Sequence, residues 1–379
     1  MIYADNAATT RISDRALEKM MPFLREQYGN ASSQYSLGAK AKRAIEKSRK
    51  QFAEAIGAEP SEIIFTSGGS EANSWLLQCI ANIYCNEPIH IITSAIEHHS
   101  VLNACHALKQ SGVEISVLPV DNLGRVSIQN IKAAINSKTR LVSIMLANNE
   151  IGTIQPIEEI ARLLQDKDIL FHTDAVQAVG HIPVDVKSLN VDFLTASAHK
   201  FNGAKGTGIL YKRSEVELPP LVFGGQQEHG LRAGTENVAG IVAAGYAIEE
   251  SVSEMGERAN LLRSMVKKTV KGIKEIISCV RINGDCYNQL PGTLNLSFDN
   301  ISGASLMHLL DLKGVCVSTS SACNAGKDEP SHVLIALGLS EQQANSAIRI
   351  SYGKYNTLEE VEYIVNAINS AYIKIKSAL

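Results

Sequence analysis

Seven cysteines are scattered through 379 residues, and no two of them form a C-x-x-C pair. An odd count without paired spacing argues against a disulfide framework and against a structural zinc site. It fits a reducing cytoplasm. A surplus of basic charge is also missing, with 36 Lys and Arg against 39 Asp and Glu and a formal net charge of −3. That leaves no basic face for direct nucleic-acid binding. No apolar run approaches the length that crosses a bilayer, so no membrane association is expected. The opening MIYADNAATT places an acid at Asp5 and holds no signal-peptide core. Repeats and low-complexity linkers are absent too, which suggests lobes that pack firmly on one another. What remains is an ordinary soluble balance, 45% hydrophobic and 20% charged, in a chain too long for one small core.

From about residue 60 to 213, short apolar runs alternate with helix-like stretches. The runs are EIIFTS, IHIITSAIEHHS, VEISVLPV, RLVSIMLANNE, DILFHTDAVQ, VDFLTASAHK and GTGILYKR. Runs of this length, buried on both faces and separated by helices, indicate an α/β domain built on a mainly parallel sheet. PIEEIARLLQDKD reads as a crossover helix entered by Pro156. The stretch from Asn237 to about residue 276 reads as one long or broken helix leading out of this domain. Mixed strands and helices follow, which suggests a smaller α+β lobe. The expected boundaries are 13–250 for the large domain and 251–379 for the small one, the latter joined by the N-terminal segment 1–12.

Several chemically equipped residues fall just past strand ends, the edge where open parallel sheets bind ligands. TSGGSEANSW turns from a strand into a helix, with Gly68, Gly69 and Ser70 at the turn. Helix N-terminal amides and a hydroxyl there suit phosphate; the alternative is a plain cap by Ser70 with Glu71. ILFHTDAVQ delivers Asp174, with Gln177 three residues on. A carboxylate buried at a strand end needs a partner, such as a protonated ring nitrogen, unless it simply caps a turn. TASAHKFNGAKGTGILYK supplies Ser197, His199 and Lys200. A lysine at the mouth of a sheet forms a Schiff base when partly desolvated, though most loop lysines are merely solvated. GAKGTG is followed by a strand, not a helix, so a dinucleotide motif fails there. AIEHHSV puts His98 and His99 at a strand end without the H-E-x-x-H geometry of a metal site. If the segment is extended, the two rings point opposite ways, and one stacks on a flat ligand or lies at the surface. Phosphate cup, ring-nitrogen partner, stacking ring and amine are together what pyridoxal 5′-phosphate requires.

These residues also carry a resemblance. The chain resembles the cysteine desulfurases of the class V, fold type I pyridoxal-phosphate enzymes (NifS/IscS-like). The likeness runs end to end through YADNAATT, TSGGSEAN, EHHSVL, NNEIGTIQPI, HTDAVQAVG, SAHKFNGAKGTG, GGQQEHGLRAGTENV, SSACNAGKDEPSHVLIALGLS and IRISYG. It implies a large domain with a seven-stranded, mainly parallel sheet flanked by helices, plus the smaller α+β domain. It implies that Lys200 holds the cofactor and moves protons, and that Asp174 pairs with the ring nitrogen. Gln177 and Asn149 would contact the ring side, Asn149 also meeting substrate, and His98 would stack on the ring and serve in acid–base steps. Gly69, Ser70, Ser197 and His199 would hold the phosphate, joined by Thr235 from the neighbouring subunit of a homodimer. Arg349 would grip the carboxylate of L-cysteine with its planar fork; its other reading is a structural ion pair.

One thiol stands apart. Cys323 lies in VCVSTSSACNAGKDEPSHVL, among small and polar residues that offer nothing to bury it, whereas the other six sit in apolar or mixed contexts and read as inert packing. The resemblance makes Cys323 the nucleophile on loop 318–330, attacking the sulfur of bound cysteine to leave alanine and a persulfide. Five residues of tether reach roughly 17 Å at ~3.3–3.6 Å per residue, enough to visit a cofactor and then a sulfur acceptor. Such a loop is expected to be poorly ordered at rest. The acceptor is expected to be an iron–sulfur scaffold or a tRNA-thiolation protein. Ser70, Ala204, Ala31 and Tyr35 stand where the family usually shows Thr, Pro, Pro and His. Rival readings on the same fold are a class V aminotransferase and a selenocysteine lyase. A non-catalytic paralogue is opposed by the joint presence of Lys200, Asp174, His98, Arg349 and Cys323.

Overall fold

The structure is a computed structural model that describes residues 1–84, 87–319 and 329–378. Cys85 and Cys323 lie outside the described residues, as does most of the loop expected over 318–330.

After a two-residue strand β1 (Ile2–Tyr3), the chain lays down β2 (Ile63–Thr66), β3 (His90–Ser94), β4 (Glu114–Leu118), β5 (Thr139–Ser143), β6 (Leu170–Asp174), β7 (Phe193–Ser197) and β8 (Gly208–Lys212). These seven are the seven apolar runs, and they form one sheet in the order β2-β8-β7-β6-β5-β3-β4. Only β8 runs against its neighbours, pairing antiparallel with both β2 and β7. Helices cover both faces, with one apolar cluster around Phe52, Phe171 and Phe201 and another around Trp75, Leu76 and Phe193.

Burial on both faces forces the polar residues within strands to bond sideways. His90 meets Thr139 Oγ1 at 2.9 Å and Ser116 Oγ at 2.8 Å. His172 meets Ser143 Oγ at 2.8 Å and Thr195 Oγ1 at 3.1 Å, and burial pushes its ring down to about 3, so it stays neutral. The chain turns from β3 outward to β4 and then back to β5 on the other side. The crevice opened by that reversal is where such sheets bind ligands.

The expected long helix is broken at Glu254 into Val238–Ser253 and Met255–Lys274. Beyond it, β9 (Val280–Asn283), β10 (Thr293–Phe298) and β12 (Ala347–Ser351) form an antiparallel sheet packed on the helices Met255–Lys274 and Leu358–Lys376. β11 (Val315–Cys316) pairs with β1, so the N-terminus crosses to this lobe. A third cluster, with Ile96, Met145, Val333 and Leu334, sets the short helix His332–Ala336 against the ends of β3 and β5.

Three expectations need correction. Ser70 does not cap its helix: Gly68 occupies the N-cap and Ser70 lies in the first turn of Gly69–Ile83. His98 and His99 do not share an extended segment, because His98 is the N-cap of the helix His99–Gln110. Cys279 and Cys286 are exposed rather than packed, whereas Cys79 and Cys105 are buried and Cys316 is half-buried. Apolar neighbours misled there, since both exposed thiols sit on turns flanking β9.

Candidate active site

The turn after β2 is built for close approach. A Cβ on Gly208 would stand 2.4 Å from the backbone of Gly68, and one on Gly69 would stand 2.8 Å from Val176 Cγ2. Glycine is therefore needed to bring β8 and β6 up to this helix start. Glu71 Oε2 accepts from Ser67 N at 2.9 Å and Glu71 Oε1 from Arg232 Nε at 2.9 Å, which fixes the turn and leaves Ser70 facing the cavity.

The end of β3 supplies Glu97 and His98. Glu97 is fully buried; Ser94 Oγ donates to it at 2.5 Å and Met145 N reaches both its oxygens at 3.0 Å. Burial outweighs those donors and pushes its carboxyl up to about 8. His98 Nδ1 lies 3.2 Å from Ser100 N and 2.8 Å from Ser100 Oγ. Burial draws its ring below the ordinary imidazole value; Lys200 and His99 add to that and Asp174 opposes it. His99 packs on His332 with ring centroids 4.6 Å apart, and His332 Nε2 sits 3.0 Å from the backbone oxygen of Glu97.

Asp174 ends β6 almost wholly buried. Its Oδ1 accepts from Val176 N at 3.0 Å and its Oδ2 from Asn73 Nδ2 at 2.8 Å. Past β7, Lys200 Nζ donates to Ala7 O at 2.6 Å and Ala8 O at 2.7 Å. Gln177 Nε2 reaches the same Ala7 O at 3.0 Å. His199 is pushed down to about 4 by burial, with Lys200 and Lys205 contributing, and its Nδ1 lies 3.3 Å from Thr9 Oγ1.

Arg349 enters from β12. Its Nη2 pairs with Asp5 Oδ1 at 2.6 Å, its Nη1 donates to Asn149 O at 3.0 Å, and its buried Nε has no partner among the described residues. An idle buried donor is costly in a finished structure, and a carboxylate ligand would occupy it. Glu150, next in sequence to Asn149, is pushed up to about 7 by burial, against donation from Ser331 Oγ at 2.6 Å and the charge of Arg349.

One cavity of about 360 Å³ gathers these groups. Gly69, Ser70, His98, Asn149 and Asp174 line it, as do Gln177, Ser197, His199, Lys200 and Arg349. Thr235 is exposed and is not among the lining residues, and Cys323 lies outside the described residues. The cavity is lined by a helix start, a buried carboxylate, an amine and a guanidinium, a set with donors for anionic groups and an acceptor for a ring N–H.

A family model for class-V aminotransferases matches residues 2–364. The cysteine desulfurase IscS of Dictyoglomus turgidum is 46% identical over 376 residues, covering 99% of this chain and 95% of its own. The chain belongs to the cysteine desulfurase family. Solved structures agree with this desulfurase fold. A NifS-like protein superposes with a TM-score of 0.93 at 42% identity, over 98% of this chain and 99% of its own. SspA, solved in complex with cysteine, gives 0.83 at 37% identity over 94% of this chain and 100% of its own.

Other lining residues of this desulfurase were not singled out from sequence: Ala7, Ala8, Asn73, Ser100, Met145 and Val176. Asn73 and Ser100 sit inside quoted motifs, yet their signal is a meeting of side chains from two helices, which linear spacing does not display. Ala7 and Ala8 act through backbone oxygens, which leave no residue-type signature at all.

Proposed function

We propose that the protein removes sulfur from L-cysteine, releasing L-alanine and leaving a persulfide on Cys323. The observation that carries this reading is the convergence of Lys200, Asp174, His98 and Arg349 on one cavity. Pyridoxal 5′-phosphate fits that donor set. The helix start at Gly69 and Ser70, with Ser197 and His199, supplies donors for its phosphate. Asp174, an acceptor fixed by two donated hydrogen bonds, would pair with its ring nitrogen, and Asn149 and Gln177 would contact the side of the ring. When bound there, the group supplies an electron sink that labilises the bond between the substrate's β-carbon and sulfur.

This chain's own residues do the rest. Lys200 anchors the cofactor through its amine and carries protons. His98 would stack on the ring of the bound group. Arg349 holds the substrate carboxylate, its Nε donor available and its Nη2 kept in place by Asp5. Cys323 contributes a thiolate to the substrate sulfur, forming the new sulfur–sulfur bond as the carbon–sulfur bond breaks. An unperturbed thiol is only a few per cent thiolate at neutral pH, so Cys323 requires a nearby base or cation. Thr235, exposed on its own subunit, reaches the neighbouring site of a homodimer. The persulfide passes to an acceptor protein of iron–sulfur assembly or tRNA thiolation in the cytoplasm. The five described cysteines, all free thiols, support a reducing compartment.

The test is incubation with cysteine and a reductant, with sulfide and alanine measured for the parent protein and for Cys323→Ala. The variant is expected to remain yellow with bound cofactor and to form neither product efficiently. Equal turnover by both proteins would instead establish an aminotransferase or a lyase that does not need the thiol.

A further inference from the structure

Four side chains from three elements form a continuous hydrogen-bonded line along the cavity wall: Asp174, Asn73, Ser100 and His98. Its polarity is fixed at one end. Asp174 Oδ1 already accepts from Val176 N, and the amide of Asn73 turns its NH₂ to Asp174 Oδ2, at 2.8 Å. The second hydrogen of that nitrogen goes to Ser100 Oγ at 2.9 Å. Ser100 Oγ, having accepted there, keeps its one hydrogen to donate, and His98 Nδ1 lies 2.8 Å away. Because His98 is the N-cap, the backbone N–H of Ser100 also aims at Nδ1, at 3.2 Å. Two donors converging on one ring nitrogen require a lone pair there.

We propose that Asn73 and Ser100 are positioning residues that hold neutral His98 with its proton on Nε2, so that the ring offers the cavity a donor nitrogen and never a lone pair. Proton acceptance from the cavity side is thereby excluded for His98 in the resting protein, since Nε2 is already protonated and Nδ1 is walled off by Ser100. The ring's part is to stack by its face and to direct the in-plane Nε2–H at an acceptor beside it, and proton uptake falls to another residue. Asn73 ties this orientation to Asp174, so the carboxylate and the imidazole are set by one amide. The charged and titratable groups bearing on the ring are His99 on its own helix, Asp174 at the end of β6, Lys200 after β7 and His332 on the helix His332–Ala336. Burial is the main cause that disfavours an imidazolium; Asp174 opposes it, Lys200 and His99 add to it, and the net direction favours a neutral ring.

The role toward the stacked group rests on the proposed function, but the tautomer does not, and the experiment separates them. Full-length protein carrying ¹⁵N-labelled histidine rings is examined by long-range nitrogen–proton correlation, with and without added pyridoxal phosphate. The His98 signal is assigned by its loss in His98→Gln. Both forms are expected to show an unprotonated Nδ1 and a protonated Nε2 at pH 7 to 9 on the pH scale of neutral imidazole. Ser100→Ala is expected to raise the titration midpoint of His98 by roughly half to one pH unit and to admit the Nδ1–H form; Ser100→Thr is expected to restore the parent spectrum. A protonated Nδ1 in the parent protein, or a Ser100→Ala spectrum identical to the parent's, overturns the proposal. Failure to bind pyridoxal phosphate at all would refute the functional reading while leaving the tautomer result to stand or fall on the cofactor-free spectrum.

Discussion

Replacing Glu228 by glutamine is expected to destabilise the protein by about 3 kcal/mol, although the site lies outside the cavity. Strand β2 forms the edge of the large sheet and pairs only with β8, so Ile63 O and Phe65 N face outward without a strand partner. An uncovered edge is a liability, and an ion pair covers this one. Arg49 Nη1 donates to Ile63 O at 2.6 Å, and Glu228 Oε2 accepts from Phe65 N at 2.9 Å. The two side chains meet as a fork, Nη1 to Oε2 at 2.7 Å and Nη2 to Oε1 at 2.9 Å. Each has under 5% of its side chain exposed, 3% for Arg49 and 4% for Glu228, so solvent screening is slight.

Breaking a buried pair by neutralising one partner costs ~3–5 kcal/mol. The amide of glutamine keeps one acceptor, which places Glu228→Gln at the lower end. Glu228 and His229 also adopt left-handed backbone, φ 47° and 60°, a conformation costing roughly 1–2 kcal/mol per residue that this anchor holds in place. At about 2 °C per kcal/mol for a domain of this size, a melting temperature lower by roughly 6 °C is expected by circular dichroism. Arg49→Met combined with Glu228→Leu removes both charges, so its loss is expected to be smaller than the sum of Arg49→Met and Glu228→Leu measured singly. A Glu228→Gln melting temperature within about 1 °C of the parent would refute the reasoning, since a change that small corresponds to a pair worth under ~1 kcal/mol.

Three further outcomes follow from the site. Glu97, held protonated with its carboxyl near 8 against about 4.3 when unfolded, contributes stability that is complete below the unfolded value and is lost as pH rises toward 8. In Glu97→Gln that decline disappears, so urea midpoints at pH 5 and pH 8 should converge relative to the parent, and parallel profiles would contradict the assignment. Gly69→Ala puts a methyl 2.8 Å from Val176 Cγ2; at ~1–3 kcal/mol of overpacking, cofactor affinity measured by spectroscopic titration should fall about tenfold or more. Arg349→Lys keeps the charge but loses the fork, so the KM for cysteine should rise roughly 10- to 100-fold with a smaller change in kcat, and an unchanged KM would remove Arg349 from substrate binding.

All seven large-sheet strands are legible as short runs, six of them buried nearly throughout, as IIFT and HIITS are, and β4, EISVL, as a half-exposed edge strand. The reversed direction of β8 was not legible, since direction depends on the connection from Lys200 to Gly208 rather than on composition. The histidine pair shows a different limit. EHHS reads as extended, but β3 ends at Ser94 and His98 already caps the next helix, so extended and helical backbone meet between His98 and His99. Ten of the anticipated site residues meet at one cavity: eight because they fall at or just past strand ends, a feature sequence does display, whereas Asn149 and Arg349 are named by the resemblance alone. Asn73 escaped notice for the opposite reason: its partners, Ser100 and Asp174, come from elements 27 and 101 residues away.

The two reactive ends of the site are coordinated by one short strip of backbone. Asp5 holds Arg349, while Ala7 O and Ala8 O hold Lys200 Nζ and Ala7 O also holds Gln177. Thr10 Oγ1 donates to His199 O at 2.8 Å, and Asn6 Nδ2 reaches Ser351 O at 2.9 Å. The strip therefore bonds to β12 of the small sheet and to the segment after β7 of the large one within six residues. A displacement of one sheet relative to the other would pull on both the amine and the guanidinium, because a strip this short has little slack to absorb it. The distance between those two groups is thus set by Asp5 to Thr10 as much as by the packing of either lobe. The N-terminal segment earns its place in the site through backbone oxygens and one carboxylate, although it belongs to neither sheet that carries the chemistry.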